Sequence, residues 1–263
     1  MLRWVTTIGQ SCSSPPPPLG SLAAVSASPV VLVVEHQVTC PPAWFGDWLQ
    51  RLGITLEVRR PYQGDALPGS LRGVDGLLVM GGSMGAHDTG KHPWLSPTQE
   101  LIVRAAERDL PTLGICLGHQ LAVSALGGSV EVNPRGQQIG VLSVDWLPAA
   151  AYDPLFGRVS KGPVVAVYWN HDLVTRVPET GHVLARADTG EIQALRLGER
   201  LWGVQFHPEV SPTLARTWAD EEQSTGARPD LDEVVEAVRV NESTLQNTWS
   251  ALASSYAALV CAQ

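Results

Sequence analysis

A thiol in a tight turn, an imidazole at the end of an apolar run and a carboxylate just beyond it could together cleave an amide bond. The thiol is Cys116, in Pro111-Thr112-Leu113-Gly114-Ile115-Cys116-Leu117-Gly118-His119-Gln120. A short apolar run ends there in Gly-x-Cys-x-Gly and passes at once into a helix-compatible stretch, Leu117 to Leu126. This is the strand-turn-helix elbow of hydrolase nucleophiles, with sulfur in place of a hydroxyl. The turn forces its central residue into an unusual backbone conformation, and Gly114 and Gly118 supply the room that conformation needs. Free N–H groups at the start of the following helix point at the sulfur and favour its thiolate.

The other two groups lie roughly ninety residues downstream, in Leu201-Trp202-Gly203-Val204-Gln205-Phe206-His207-Pro208-Glu209-Val210. A nucleophilic thiol needs a base to take its proton, and the base needs a third group to hold its tautomer. His207 and Glu209 suit those roles, in the chain order Cys, His, Glu. Pro208 stiffens the link, so that the carboxylate can fold back towards the imidazole.

Gly-Ile-Cys-Leu-Gly-His-Gln and Gln-Phe-His-Pro-Glu-Val resemble the two signature motifs of the class I (triad) glutamine amidotransferases. The resemblance spans roughly residues 29–220. It is strongest to stand-alone members similar to the glutaminase domain of GMP synthetase. It implies a flavodoxin-like amidotransferase fold and hydrolysis of the glutamine side-chain amide through a γ-glutamyl thioester. Such enzymes pass ammonia to a synthetase.

The same resemblance assigns further residues. Met80-Gly81-Gly82-Ser83-Met84-Gly85 follows an apolar run, and its glycines let backbone N–H groups approach a substrate closely. Gly82 and Leu117 would then supply the two N–H donors of an oxyanion hole. Gln120, one helical turn beyond Cys116, would contact the substrate glutamine. Trp169-Asn170-His171-Asp172-Leu173 resembles a pocket segment, with Asn170, His171 and Asp172 facing the α-amino acid end, although relatives more often carry His-Gly-Asp there.

Two decoys are set aside on chemistry. Cys116-x-x-His119 has zinc-ligand spacing, but no second Cys/His pair matches it, so no metal is expected. Gly85 to Lys91 matches the Gly-x4-Gly-Lys phosphate loop. His92 then stands where a Ser or Thr would bind magnesium, and Pro93-Trp94 follows where a helix should begin.

The elements that must position these groups alternate between strand and helix. Val30–Val34, Ile54–Val58, Gly76–Met80 and residues 111–115 read as strands. Between them, Pro41 to Leu52 carries Trp44, Phe45, Trp48 and Leu49 at helical spacing, with Gly53 placed to end the helix. Ser96-Pro97-Thr98-Gln99 predicts an N-cap, a first-turn proline and a capping-box glutamine, opening a helix through Leu110. The expected fold class is therefore α/β: a mostly parallel central sheet with helices on both faces and ligands at the carboxyl ends of its strands. Beyond Gly128 the runs shorten into a small antiparallel region, at 129–132, 139–146, 164–169, 182–187, 191–197 and 201–206. Ser211-Pro212 opens another helix, and residues 230–262 are helical in composition.

Composition bounds the rest. The chain has 263 residues, 44% hydrophobic and 17% charged, with a net charge of −8. No apolar run reaches the ~20 residues of a membrane span, and no Lys/Arg cluster marks a nucleic-acid surface. Cys12, Cys40, Cys116 and Cys261 are unpatterned, which points to a reducing cytoplasm rather than a disulfide framework. Residues 1–28, with Pro15-Pro16-Pro17-Pro18, are expected to be a disordered extension. An amidotransferase domain over 29–222 and a helical C-terminal extension over 223–263 complete the expected organisation. The substrate is glutamine or a γ-glutamyl compound, no cofactor is implied, and the ammonia acceptor belongs to a separate ATP-dependent synthetase. A γ-glutamyl peptidase with the same triad is the alternative within catalysis, and a non-catalytic regulatory or binding protein is the alternative outside it.

Overall fold

The computed structural model describes residues 28–224 and 230–263. All of the expected N-terminal extension except Ser28 lies outside them. Strand β1 (Val30–Val34) is apolar throughout because both of its faces are covered. Val31 and Val33 pack with Phe45 and Leu49 of helix α1 (Ala43–Arg51) and with Tyr256 of helix α6 (Glu242–Cys261). Leu32 and Val34 face the opposite way, towards Leu101 and Ile102 of α2 (Leu95–Glu107) and Leu121 of α3 (Leu117–Ala125).

Around β1 lie β2 (Thr55–Arg59), β3 (Gly76–Val79), β4 (Thr112–Ile115) and β11 (Leu201–Val204), in the order β2-β1-β3-β4-β11 and all parallel. From β11 the sheet continues antiparallel through β10 (Ile192–Leu197), β9 (Gly181–Arg186), β6 (Gln138–Trp146) and β7 (Val164–Asn170). A two-stranded sheet pairs β5 (Ser129–Val132) with β8 (Asp172–Arg176). The α/β architecture is as expected, and β8 is an addition, a strand running on from the pocket segment. Helix α4 (Pro212–Gln223) opens as the sequence predicts, with Ser211 Oγ accepting from the Leu214 N–H at 3.1 Å.

The start of α2 is a correction. It begins at Leu95 rather than after Ser96, and no side chain caps it. The chain enters already coiled: Trp94 is in the right-handed helical region, and Leu95 N–H donates to His92 O. The first turn is thus closed before Ser96, which lies inside the helix.

Helices α5 (Asp230–Val240) and α6 arise from the segment expected to be a helical extension. Helix α6 buries Trp249 and Tyr256 against the sheet. The Tyr256 hydroxyl donates at 2.9 Å to Leu77 O on β3 and at 3.2 Å to Pro111 O, just before β4. Tyr256→Phe keeps the ring and removes both bonds. It is expected to cost about 1.5 kcal/mol and to lower Tm by about 3–6 °C, read by thermal melting.

Candidate active site

Two residues 91 apart in sequence meet because β4 and β11 are adjacent parallel strands, with Ile115 opposite Val204. Both chains leave the sheet at the same edge. β4 delivers Cys116 directly, and β11 delivers Gln205, Phe206 and His207. On the other side of β4, β3 pairs Val79 with Gly114 and releases the glycine loop that begins at Gly81. Three neighbouring strand ends thus supply the loop, the thiol and the imidazole. A methyl group on Gly81 would stand 3.1 Å from His207 Cε1 and 3.6 Å from Cys116 Cβ.

Cys116 is held in the elbow conformation at φ 50° and ψ −104°, positive φ for a residue with a side chain. Such a backbone costs energy that surrounding contacts must offset. Here its N–H donates to Val204 O at 2.8 Å, and its carbonyl accepts from Gln120 N–H at 3.0 Å. Gly118 is a packing requirement of the same turn, since a Cβ there would lie 2.1 Å from Val79 O. Behind the elbow, the His119 ring fills the space that a side chain on Gly203 would take. Burial pushes the His119 pKa down to about 3, so the ring is neutral.

His207 is 3% exposed, and its N–H is pinned to Val167 O on β7 at 2.8 Å. Its Nδ1 lies 2.8 Å from Oε1 of the fully buried Glu209. Burial alone would lower the imidazole pKa, but the Glu209 carboxylate and the Cys116 sulfur outweigh it and raise it to about 10. The indole of Trp218 meets the ring edge-on at 4.7 Å, and Trp218 Nε1 is anchored to Thr39 O. The imidazole is therefore fixed on one side by charge and on another by an aromatic wall.

The strand ends open into a cavity of about 810 Å³. Cys116, His207, Gly82, Gln120, Asn170 and His171 all line it, as does Asp172. Glu209 lies behind His207, away from the lining. Leu117 is fully buried beneath Gly82, where a Cβ would touch its side chain at 3.0 Å. Among the described residues, the N–H groups of Gly82 and Leu117 have no acceptor in the protein. Gln120 Nε2 donates to Asp172 O at 3.2 Å and Gln205 Oε1 at 3.1 Å, and Asn170 Nδ2 also donates to Asp172 O. The corner between β7 and β8 is thereby tied to the helix that follows Cys116.

Gln205 and Trp218 join the site without having been given a role from the sequence. Gln205 is fully buried, and its Nε2 reaches Cys116 Sγ at 3.5 Å. Its signal was present: a lone amide in an apolar strand run needs a buried partner. Trp218 had no signal, since an apolar residue on an amphipathic helix reads as ordinary core. Cys40 also lines the cavity, where burial and then Glu209 push its thiol pKa well up. Among the described residues, no three His, Cys, Asp or Glu side chains are grouped to hold a metal ion. The Gly85–Lys91 segment forms turns rather than a phosphate loop. Its Gly85 N–H donates to the Asp88 carboxylate, which takes up an N–H that would otherwise face an anion.

A family model described as glutamine amidotransferase class-I matches residues 47–219. Over 107 residues the chain is 42% identical to a glutamine-hydrolyzing GMP synthase subunit from Methanococcoides burtonii, covering 40% of this chain and 53% of that one. Over 166 residues it is 33% identical to the glutamine-hydrolyzing GMP synthase of Pyrobaculum aerophilum, covering 63% of this chain and 30% of that one. The match therefore spans about half of the first relative and under a third of the second. Among solved structures, a glutamine amidotransferase from Methylobacillus flagellatus superposes with a TM-score of 0.77 at 26% identity, covering 88% of this chain and 94% of that one. One from Thermotoga maritima has the same TM-score at 24% identity, covering 88% and 98%, and shares the fold. The chain belongs to the class-I glutamine amidotransferases.

Proposed function

We propose that the protein hydrolyses the side-chain amide of glutamine through a γ-glutamyl thioester on Cys116 and supplies the ammonia to a separate synthetase. The observation that carries this reading is the meeting of Cys116, the His207–Glu209 pair and the glycine loop at three adjacent strand ends. His207 holds the thiol proton, so sulfur attacks the γ-carbonyl carbon as thiolate. The tetrahedral oxyanion is received by the N–H groups of Gly82 and Leu117. As the intermediate collapses, His207 returns the proton to the leaving nitrogen and ammonia departs. A water molecule, deprotonated by His207, then releases glutamate. Gln120, Asn170, His171 and Asp172 hold the amino acid end, and the chemistry calls for no cofactor.

Ammonia freed into water at neutral pH is mostly protonated and no longer nucleophilic, so productive transfer requires a docked, sheltered acceptor. Relatives whose names make them one subunit of a GMP synthase support a partner on another chain. That partner would be the ATP-dependent component. The described cysteines are free thiols, which fits a reducing cytoplasm. Among the described residues, no helix is long and apolar enough to cross a membrane.

A second reading, γ-glutamyl peptide hydrolysis, is favoured by a cavity roomier than one amino acid fills. The deciding experiment compares kcat/KM for glutamine and for a γ-glutamyl dipeptide, with intact-mass detection of the Cys116 adduct. Strong preference for the dipeptide overturns the amidotransferase reading and keeps the triad. Absence of any adduct overturns both.

Glu209→Gln tests the orienting pair. Glu209 raises the His207 pKa, so its removal lets burial pull that pKa down. Protonated His207 is the acid that expels ammonia, and the alkaline limb of kcat/KM is expected to move to lower pH. Turnover at neutral pH should fall on the order of 10²-fold. An unmoved limb in the pH–rate profile would remove Glu209 from the mechanism.

A further inference from the structure

The charges lining the cavity are one-sided. Asp88, Glu131, Asp172, Glu221 and Glu222 all contribute to its wall, and among the described residues no Lys or Arg does. The whole chain, by contrast, has 18 Lys and Arg against 26 Asp and Glu. Glutamine brings a single ammonium group, which one carboxylate satisfies. The remaining carboxylates have no counterpart in that substrate.

Two of them converge. A Cβ on Gly85 would sit 3.3 Å from Asp88 Oδ2 and 3.5 Å from Asp172 Oδ2. Among the described residues, the Asp172 carboxylate has no hydrogen-bond or ion-pair partner. Asn170, 4% exposed and on the same wall, leaves its Oδ1 without a donor. Asp88 already accepts from Gly85 N–H at 2.9 Å, and on the proposed chemistry Asp172 and Asn170 serve the amino acid end of glutamine, so the carboxylates left for a second cation are those of Glu131 and Glu221. Trp169 and Trp218 also line the cavity, with ring centroids 5.6 Å apart at 69°. Carboxylates beside indole faces suit an alkylammonium group, which gains from both ion pairing and cation–π attraction. The carboxylates do not group into a metal site, which argues for an extended organic cation over a compact divalent ion.

We infer that this cavity accepts, beyond glutamine, γ-glutamyl amides of diamines, in which the leaving amine carries a second, positively charged nitrogen. The inference rests on the thioester reading above. Cys116 sulfur bonds to the γ-carbonyl carbon, the C–N bond breaks, and the His207 proton goes to the departing nitrogen, which leaves as the free diamine. Water then cleaves the thioester to glutamate and restores the thiol. The net reaction adds one water across the amide and needs no oxidant or reductant.

The test uses the full chain and three amides matched in length: γ-glutamyl-1,4-diaminobutane, neutral γ-glutamylbutylamine and anionic γ-glutamyl-4-aminobutyrate. The expected order of kcat/KM is cation, neutral, anion, with the cation ahead of the neutral amide by about tenfold at low salt. That ratio should shrink in a Glu131→Gln/Glu221→Gln double variant and at high salt. Equal values, or preference for the anion, with normal acylation of Cys116 would overturn the charge inference alone. If none of the three amides nor glutamine acylates Cys116, the thioester reading falls and this inference with it. A preference for the cation that the double variant and salt leave untouched would also overturn it, because the carboxylates would not be its source.

Discussion

Cys116→Ser is expected to fold like the wild type and to lose glutaminase turnover by several orders of magnitude. The side chain is 5% exposed and nearly isosteric, and the strained φ of 50° is accommodated by contacts of the backbone, not of the sulfur. What changes is the nucleophile. A thiol can rest as a thiolate beside protonated His207, whereas a hydroxyl keeps its proton until the moment of attack. The imidazole, whose pKa Glu209 still raises, is a poor base for that alcohol. Glutamate release measured beside the wild type, with matched circular dichroism melts, checks both halves. A serine variant retaining near-wild-type turnover would remove the covalent step from this site.

Gly118→Ala should fail earlier, at folding. The added Cβ would lie 2.1 Å from Val79 O, which is backbone in the middle of the sheet and cannot swing aside. Relief requires moving α3 away from β3, and overpacking of this kind costs several kcal/mol. A typical domain has only about 5–15 kcal/mol to lose. The expected outcome is little soluble protein, or a melt tens of degrees lower. Gly64→Ala is the control: its φ of 97° is strained for alanine, but the surrounding space is open, so about 1 kcal/mol is expected. Equal melting temperatures for the two variants would mean that the elbow does not depend on close helix–strand approach.

The elbow was legible because its determinants are local. Two glycines, a cysteine and a helix start within five residues specify the turn wherever it occurs, and β4 and α3 lie where the pattern puts them. The alternation of β1 to β4 with α1 and α2 was legible for the same reason, and its continuous apolar strands announced cover on both faces. The adjacency of β4 and β11 was not. It is a pairing between residues far apart in the chain, and nothing within either strand names its neighbour. Family resemblance, rather than periodicity, placed His207 beside Cys116 in expectation. Pairing of the same distant kind hides Gln205, whose bond to Cys116 exists only once the strands lie side by side. The start of α2 was misplaced because Ser96-Pro97 is a strong local cap signal. A turn closed one residue earlier by Leu95 and His92 overrode it.

The placement of α6 bears on how the enzyme is born. Its Tyr256 closes the bases of β3 and β4, and its Trp249 stacks at 4.8 Å on Phe206, the residue before His207. Helix α6 leaves the ribosome after every strand of the sheet has done so. Until it arrives, α1 covers that face of the parallel half without its neighbour, and Phe206, next to His207, lacks the indole behind it. A nascent chain that has already exposed Cys116 therefore carries a thiol without its finished partner. On the proposed chemistry the finished site waits for the docking of α6, and the interval before it is when the chain most needs shielding from aggregation.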